Sequence, residues 1–522
     1  MKYDVYDVLI IGSGHAGGMA AKMLTEAGVR CLMLNAGPVA DISRDAERLP
    51  ASKLPYRGFR PPGRLEHVFQ SDEFNANVWV DEDEVPYTFD PDQPYNWVRV
   101  RLFGGRSLFW SRQSFRLSDY EFKCKSHDGF GENWPISYAD LAPYYSRVER
   151  IFRVAGALDG PPQMPNGEFI LDDSSWTPSM ERFIAAAKPR EIPVCKQRRA
   201  LGVNGLASSV NLLLPDAEKT GNLTSIANAV VREITVDKNT GLPDGCNFID
   251  RITRREMSVK ARVIVLAAGT LESTRLLLNS GLAQSSGVLG RYLTDQIYGA
   301  GVVASVPEAR GRRGANIMGG NAIVPRFRNI DTKDDQFLRG YAFNVSSITG
   351  AMSPRNFKLY GAELEKKLED YYGSGFQMTI MGEVLGRYEN HVRIDKDKVD
   401  AWGIPVLHID TKYTDNEYNM AKDAVQVGTE LCQSAGFEVL STNPVPNPPG
   451  YSIHEIGTCR MGDDPKKSVV NKWNQAHDHK NLFVVDGAVF TSGGWQNPTM
   501  TILSLSMRAS EHLASEMKKG NV

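Results

Sequence analysis

Patterned cysteine is the first thing missing from this 522-residue chain. Its six cysteines, Cys31, Cys124, Cys195, Cys246, Cys432 and Cys459, stand far apart and form no CxxC pair. That excludes a disulfide framework or a CxxC motif as an organising device and points to reduced thiols. Without CxxCH, the chain offers no attachment site for a c-type haem. No apolar run reaches the ~18–20 residues that a spanning helix needs. An excess of one charge is missing as well: 60 Lys+Arg face 62 Asp+Glu, a formal net charge of −2. Nothing therefore draws the chain to nucleic acid or to an anionic membrane. Internal repeats and low-complexity tails are absent. A secretory leader is not expected, because strand-like residues begin by Val5 and run straight into a glycine motif, and twin-arginine pairs lie only deep in the chain. These absences predict a soluble, cytoplasmic protein.

What is present is globular: 42% hydrophobic and 23% charged residues. The length exceeds what one ordinary core accommodates, so two domains or one large composite unit are expected. "YDVLIIGSGHAGGMAAKMLTEAGVRCLMLNAG" places an apolar strand over Val8–Ile11 directly before Gly12-x-Gly14-x-x-Gly17. A helix over Ala16–Ala27, ended by Gly28, and a second strand over Arg30–Leu34 complete a βαβ unit. Gly12 permits the tight turn, Gly14 lets backbone approach a pyrophosphate, and Gly17 lets the helix pack on the strand. The acid that usually ends the second strand and holds ribose hydroxyls is replaced by Asn35. A neutral amide there predicts a weaker hold on the nucleotide.

An NAD domain would complete its site within roughly the first 150 residues. Here nucleotide-type signals continue to the far end. "WVRVRLFGGRSLFWSRQSFR" (97–116) joins a basic strand to a Gly-Gly turn, and "NLTSIANAVVREITVD" (222–237) reads as a strand pair. "ARVIVLAAGTLESTRLLLNSG" (261–281) is a strand, a small-residue turn and a helix. Over 300–450, strand-like stretches alternate with charged turns and predict an antiparallel sheet outside the nucleotide unit. Proline–glycine segments at 61–63 and 160–162, the acidic run Asp81–Pro94 and "NPVPNPPG" (443–450) read as loops, and the loop-rich 55–96 stretch is positioned to form or line an entrance. His15 reads as tolerated at an exposed loop position. His477 and His479 lie in a turn with no further ligands, so no metal is expected. Cys459 reads as a small buried residue.

Taken in order, "GSGHAGG", "RLFGGRSLFW", "LAAGTLESTRLLLNSG", "GRYLTDQ", "HEIGTCRMGDDP", "LFVVDGAVF" and "GGWQNPTMTI" resemble the glucose–methanol–choline flavoprotein oxidoreductases. The chain is most similar to their sugar-oxidising branch of pyranose oxidases and glycoside 3-dehydrogenases. The resemblance implies an α/β fold: a Rossmann-like FAD-binding domain (1–50, 90–120, 200–300 and 450–522) and a substrate domain on a mainly antiparallel sheet (51–89, 121–199 and 301–449). It implies FAD with its adenine end at Gly12, Gly14, Gly17 and Asn35, near the Val231 backbone. Asp486 and Gly487 would approach the pyrophosphate and ribityl chain, and Gly104, Gly105, Ser107 and Trp110 would lie along the flavin. Relatives often carry a flavin-linked His where this chain has Phe109, so non-covalent FAD of lowered potential is expected.

The resemblance further assigns His454 as the base and Asn497 as its hydrogen-bonding partner at the substrate. A neutral imidazole titrates in a range suited to taking a hydroxyl proton while hydride leaves the same carbon for flavin N5. Pro498 and Thr499 open a helix whose free N–H groups and dipole favour negative charge on the reduced flavin. Gln113, Trp495 and Gln496 are candidate substrate contacts by their nearness to these motifs. The implied reaction is oxidation of a secondary sugar or glycoside hydroxyl to the ketone, at the 3-position. Oxidation of a choline- or aryl-alcohol-like substrate, a redox-neutral flavin-containing lyase and an electron-relay subunit remain alternatives. Dioxygen, a quinone or a redox protein is open as electron acceptor, as are a small partner subunit and a homo-oligomer.

Overall fold

The computed structural model describes residues 5–40, 53–60, 62, 68, 71–312 and 317–522. Part of the 51–89 segment, including Pro61 and Gly63 and some of the 55–96 stretch, lies outside them. Strand Tyr6–Ile11 pairs in parallel with Cys31–Leu34 on one side and with the end of Glu256–Leu266 on the other. Leu223–Ile226 extends the sheet beyond Cys31–Leu34, and Leu482–Val484 closes it against Ile264–Leu266. All five strands run parallel. Both faces are covered, so Val8, Leu9 and Ile10 are fully buried, as a continuous apolar run requires. Helix His15–Glu26 follows the first strand and stops at Gly28, whose φ of 85° is left-handed.

Strand Glu256–Leu266 belongs to two layers. Its first half leaves the parallel sheet and pairs antiparallel with Pro243–Asp250, which pairs in turn with Ala229–Val236. The 222–237 strand pair is therefore split between the edge of the parallel sheet and this arm.

A second, antiparallel sheet takes its strands from Gly301–Ser305, Asn321–Val324, Tyr341–Ile348, Gly375–Glu383 and Glu438–Asn443. Cys195–Lys196 adds to one edge, and Gln296–Ile297 pairs with Glu383 and Gly382. The 300–450 region also holds a 20-residue helix, Asp415–Ser434, which the strand-like pattern around it did not lead us to expect. A capping box from Thr414 and Glu417 starts it, and Met420, Ala421, Ala424, Val427 and Leu431 recur at helical spacing to pack on the sheet.

Helix Thr499–Lys519 runs back through the molecule. Its first three turns are buried on nearly every side, and Ser506 Oγ donates to the Ala16 carbonyl at 2.7 Å. The last residues of the chain are thereby fastened to the first helix.

A small sheet from His391–Val399, Pro405–Asp410 and Thr88–Phe89 lies against helix Thr270–Ser280. Arg275 of that helix anchors the joint: Nη2 lies 2.7 Å from Asp400 Oδ2, and Nε donates to the Pro405 carbonyl at 2.8 Å. Both side chains are buried. Truncating one partner of such a pair strands the other charge, at about 3–5 kcal/mol. Arg275→Ala should therefore lower the thermal unfolding midpoint, and adding Asp400→Asn should recover part of the loss; circular dichroism melts of the three variants check this.

Candidate active site

The glycine cradle is set by how closely backbone meets backbone. A Cβ on Gly17 would fall 1.9 Å from the Gly12 carbonyl oxygen, and one on Gly12 would fall 2.3 Å from the Ala267 oxygen. Gly14 differs, because its nearest neighbour would be the Gly104 oxygen at 3.8 Å. Gly14 thus faces open space. Asn35 Oδ1 accepts from Ser13 Oγ at 2.9 Å, Ser13 Oγ accepts from the Gly104 N–H at 2.8 Å, and Asn35 Nδ2 donates to the Gly37 carbonyl at 3.1 Å. The residue in the ribose-acid position therefore ties the first glycine loop to the Gly104-Gly105 turn.

From this cradle a cavity of about 650 Å³ runs to the other end of the site. Gly12, Gly14, Asn35, Val231, Gly105, Ser107, Trp110, Asp486, Gly487, Pro498 and Thr499 line it, together with Gln113, His454 and Asn497. Residues from the start, middle and end of the chain are brought to one space. Gly17 and Gly104 do not line it, but they lie against Gly12 and Gly14, which do. Trp495 and Gln496 do not line it: Trp495 packs on Phe115 with centroids 5.1 Å apart, and the Gln496 side chain points toward the Gln163 carbonyl. Phe109 is exposed, lines the cavity and meets Trp79 at 5.5 Å.

At the far end, Asn497 Nδ2 lies 3.2 Å from His454 Nε2, and His454 Nδ1 lies 2.8 Å from Gln296 Oε1. Gln296 Nε2 donates to the Gly494 carbonyl at 2.7 Å and the Gln496 carbonyl at 2.9 Å. Those two acceptors fix the amide so that its oxygen faces the ring. Nδ1 must then carry the hydrogen, which leaves Nε2 with a free lone pair, and Asn497 presents its N–H₂ to that lone pair. Burial pushes the imidazole pKa down to about 3, and the nearby Arg106 charge acts in the same direction. Arg106 Nη1 is itself held 2.7 Å from Glu455 Oε1.

Asp295 supports the same histidine from behind. Its Oδ1 accepts from the His454 N–H at 3.0 Å and from Ser452 Oγ, and its Oδ2 accepts from the Gly450 N–H at 3.0 Å. Burial raises its pKa to about 7 against these donors. Neither Asp295 nor Gln296 was singled out by sequence reasoning, although both close the quoted "GRYLTDQ".

Asp486 accepts from the Gly269 N–H at 3.0 Å, Ser273 Oγ at 2.5 Å and the Ala488 N–H at 3.0 Å, so its carboxylate holds the start of helix Thr270–Ser280 beside the cavity. His15 is not in an exposed loop: it opens the first helix, meets Trp110 edge-on at 4.8 Å, and burial lowers its pKa to about 4. Arg99 and Arg101 also line the cavity, and each keeps a buried N–H group with no hydrogen-bond partner among the described residues. Tyr298, Asn344, Met381 and Tyr451 line the His454 end and went unnoticed in the sequence.

Two GMC oxidoreductase profiles match, one over residues 6–298 and one over 387–506. The chain belongs to the GMC oxidoreductase family. It is 28% identical to 2-methyl-1,2-propanediol dehydrogenase of Mycolicibacterium austroafricanum, over 98% of this chain and 95% of that one. It is 26% identical to the fructose dehydrogenase large subunit of Gluconobacter japonicus, over 98% of each. Among solved structures, pyridoxine 4-oxidase of Mesorbium loti superposes with a TM-score of 0.65 at 18% identity, over 97% of this chain and 99% of that chain. The family is FAD-dependent and acts on CH–OH groups of sugars and other alcohols, so this protein is an oxidoreductase of that kind. The residues present fit the cofactor: a glycine that opens into the cavity, arginine N–H groups with no hydrogen-bond partner among the described residues, and a length that reaches His454.

Gly14 and Gly17 should separate cofactor binding from folding. Gly17→Ala must move backbone and should cost about 1–3 kcal/mol of stability, whereas Gly14→Ala should leave the cofactor-free melting point nearly unchanged yet weaken FAD binding at least about tenfold. Melting curves and FAD titrations of both apoproteins test the distinction.

Proposed function

We propose that this enzyme oxidises a secondary hydroxyl of a sugar or glycoside to the ketone, at the 3-position, with His454 as base and Asn497 as its partner. The observation that carries the reading is the His454 Nε2 and Asn497 Nδ2 pair at 3.2 Å, one a bare acceptor and the other a donor. A hydroxyl is both donor and acceptor, so one substrate O–H can meet both groups. His454 Nε2 takes the hydroxyl proton, and Asn497 Nδ2 supports the oxygen as charge develops on it. Because the imidazole pKa lies near 3, the base is already neutral at any working pH above about 4. Gln296 keeps the ring in the tautomer that leaves Nε2 free. FAD, when bound, supplies the hydride acceptor. Asn35, Val231, Asp486 and Gly487 would hold it along the cavity, with Gly105, Ser107, Trp110, Pro498 and Thr499 beside its reactive part.

The sugar assignment draws on the motif resemblance and on similarity to the fructose dehydrogenase large subunit. Segments 1–50, 90–120, 200–300 and 450–522 form the FAD unit on this reading, and 51–89, 121–199 and 301–449 the substrate unit. Phe109 has no nucleophilic atom, so the cofactor is held without a covalent bond. Six buried free thiols suit a reducing compartment, consistent with a cytoplasmic enzyme. A second reading, oxidation of a small non-sugar diol, is favoured by the similarity to 2-methyl-1,2-propanediol dehydrogenase.

Anaerobic addition of a panel of sugars, glycosides and aliphatic diols to the FAD-loaded protein should bleach the flavin spectrum with a glycoside, giving a 3-keto product. His454→Ala should slow that bleaching by about 10²–10⁴-fold. Bleaching by diols alone would replace the sugar reading with the second one. Acid precipitation should release all flavin to the supernatant.

A further inference from the structure

Outside the cavity, one surface combines three features that no catalytic role explains. Strand Val154–Gly156 pairs with Ile170–Leu171 on one side and Arg199–Ala200 on the other. The chain after Ala200 turns back as a hairpin in which Val203 and Leu206 exchange backbone hydrogen bonds of 3.0 and 2.9 Å. Leu158, Ile170, Leu171, Leu201, Val203 and Leu206, all on these linked segments, are exposed. Leu201 and Val203 also line the hollow described next, so exposed apolar side chains sit directly beside it, as at an interaction face.

The second feature is charge. A hollow of about 430 Å³ is lined by Arg112, Arg153, Arg199 and the 200–205 turn. Neighbouring Arg116, Arg150 and Lys196 pair with Glu149, Glu168 and Asp172, but among the described residues none of the three lining arginines has a carboxylate partner.

The third is connection. Arg112 adopts a φ of 63°, a conformation few side chains other than glycine accept, and it sits between Ser111 and Gln113, both of which line the main cavity. The hairpin ends at Ala207, whose carbonyl lies 3.0 Å from Trp110 Nε1 and 3.3 Å from His15 Nε2, two more residues of that cavity. One layer of residues separates the surface from the site.

We propose that this face docks a soluble, one-electron-accepting protein whose apolar contact surface is rimmed by carboxylates. The proposal rests on the alcohol-oxidation reading, which requires an outlet for electrons. Each carbonyl formed releases two electrons and two protons; two molecules of the carrier take one electron each, and the protons pass to solvent. A second copy of this chain on a twofold axis would bring the unpaired arginines against one another, which disfavours it. The arginines line a hollow rather than a plane, so protruding acidic side chains fit them better than a flat lipid surface does.

Binding of a small acidic c-type cytochrome, and of a basic one of similar size, would be measured on substrate-free holoenzyme at several salt concentrations. Photoreduction of the flavin would then give the rate of cytochrome reduction without any alcohol. The acidic cytochrome should bind with an affinity that falls as salt rises, and Arg112→Glu/Arg153→Glu/Arg199→Glu should weaken binding and electron transfer at least about tenfold. Reduction of a small neutral quinone should be unchanged. Arg153→Gln/Arg199→Gln, confined to exposed positions, guards against misfolding of the triple variant and should show a smaller loss of the same kind. Equal binding of both cytochromes, no salt-dependent binding of the acidic one, or binding instead to phosphatidylglycerol vesicles with the same arginine dependence would overturn the proposal. If the cytochrome docks as expected and no alcohol bleaches the flavin, the oxidation reading fails while the docking face stands.

Discussion

The hydrogen bond from His454 Nδ1 to Gln296 Oε1 decides which nitrogen of the ring is available for chemistry. It does so only because Gln296 is itself held by the Gly494 and Gln496 carbonyls, so the amide cannot turn over without losing two bonds. Those carbonyls lie in the tight segment just before the C-terminal helix, and Asn497 follows at once. One small network therefore orients His454, Asn497 and the helix start together. Asp295, the residue before Gln296, grips the backbone of the same histidine. Two adjacent residues from the middle of the chain thus position a buried imidazole from its C-terminal part.

This arrangement explains why the fold is discontinuous. The parallel sheet needs Tyr6–Ile11, Glu256–Leu266 and Leu482–Val484 side by side, which carries the chain's last forty residues back to its first strand. The C-terminal helix then passes beside the first helix, tied by Ser506 to Ala16. The glycine cradle and the His454–Asn497 pair come to line one cavity because the two termini share a core. The antiparallel sheet contributes Asn344 and Met381 to that cavity, and Gln296 is where its short edge strand Gln296–Ile297 begins.

Much of this was legible where local pattern and local structure coincide. The strand, glycine loop and helix at the N-terminus follow from an apolar run, three glycines and a helical composition within thirty residues. Helix Asp415–Ser434 was equally written in its 3–4 spacing and its Thr414–Glu417 capping box, but strand-like neighbours on its N-terminal side drew the reading toward sheet. Gln296 could not be given a role from sequence, because the carbonyls that orient it are about two hundred residues away. Trp495 and Gln496 stand next to Asn497 in sequence, yet the backbone turns their side chains away from the cavity that Asn497 lines. Asn35 shows how one position carries more than its motif suggests: it lines the cavity where the motif places it, and its hydrogen bonds also brace two loops.

The tautomer of His454 is the most direct test of the account. Nitrogen-15 NMR of the histidines in the folded protein, with His454 assigned by its loss in His454→Ala, reports the protonation of each ring nitrogen. The hydrogen-bond chain and the low pKa of about 3 predict a protonated Nδ1 and a bare Nε2 whose signals stay constant between pH 8 and about pH 5. A hydrogen on Nε2, or a ring that becomes doubly protonated near pH 6, would contradict it.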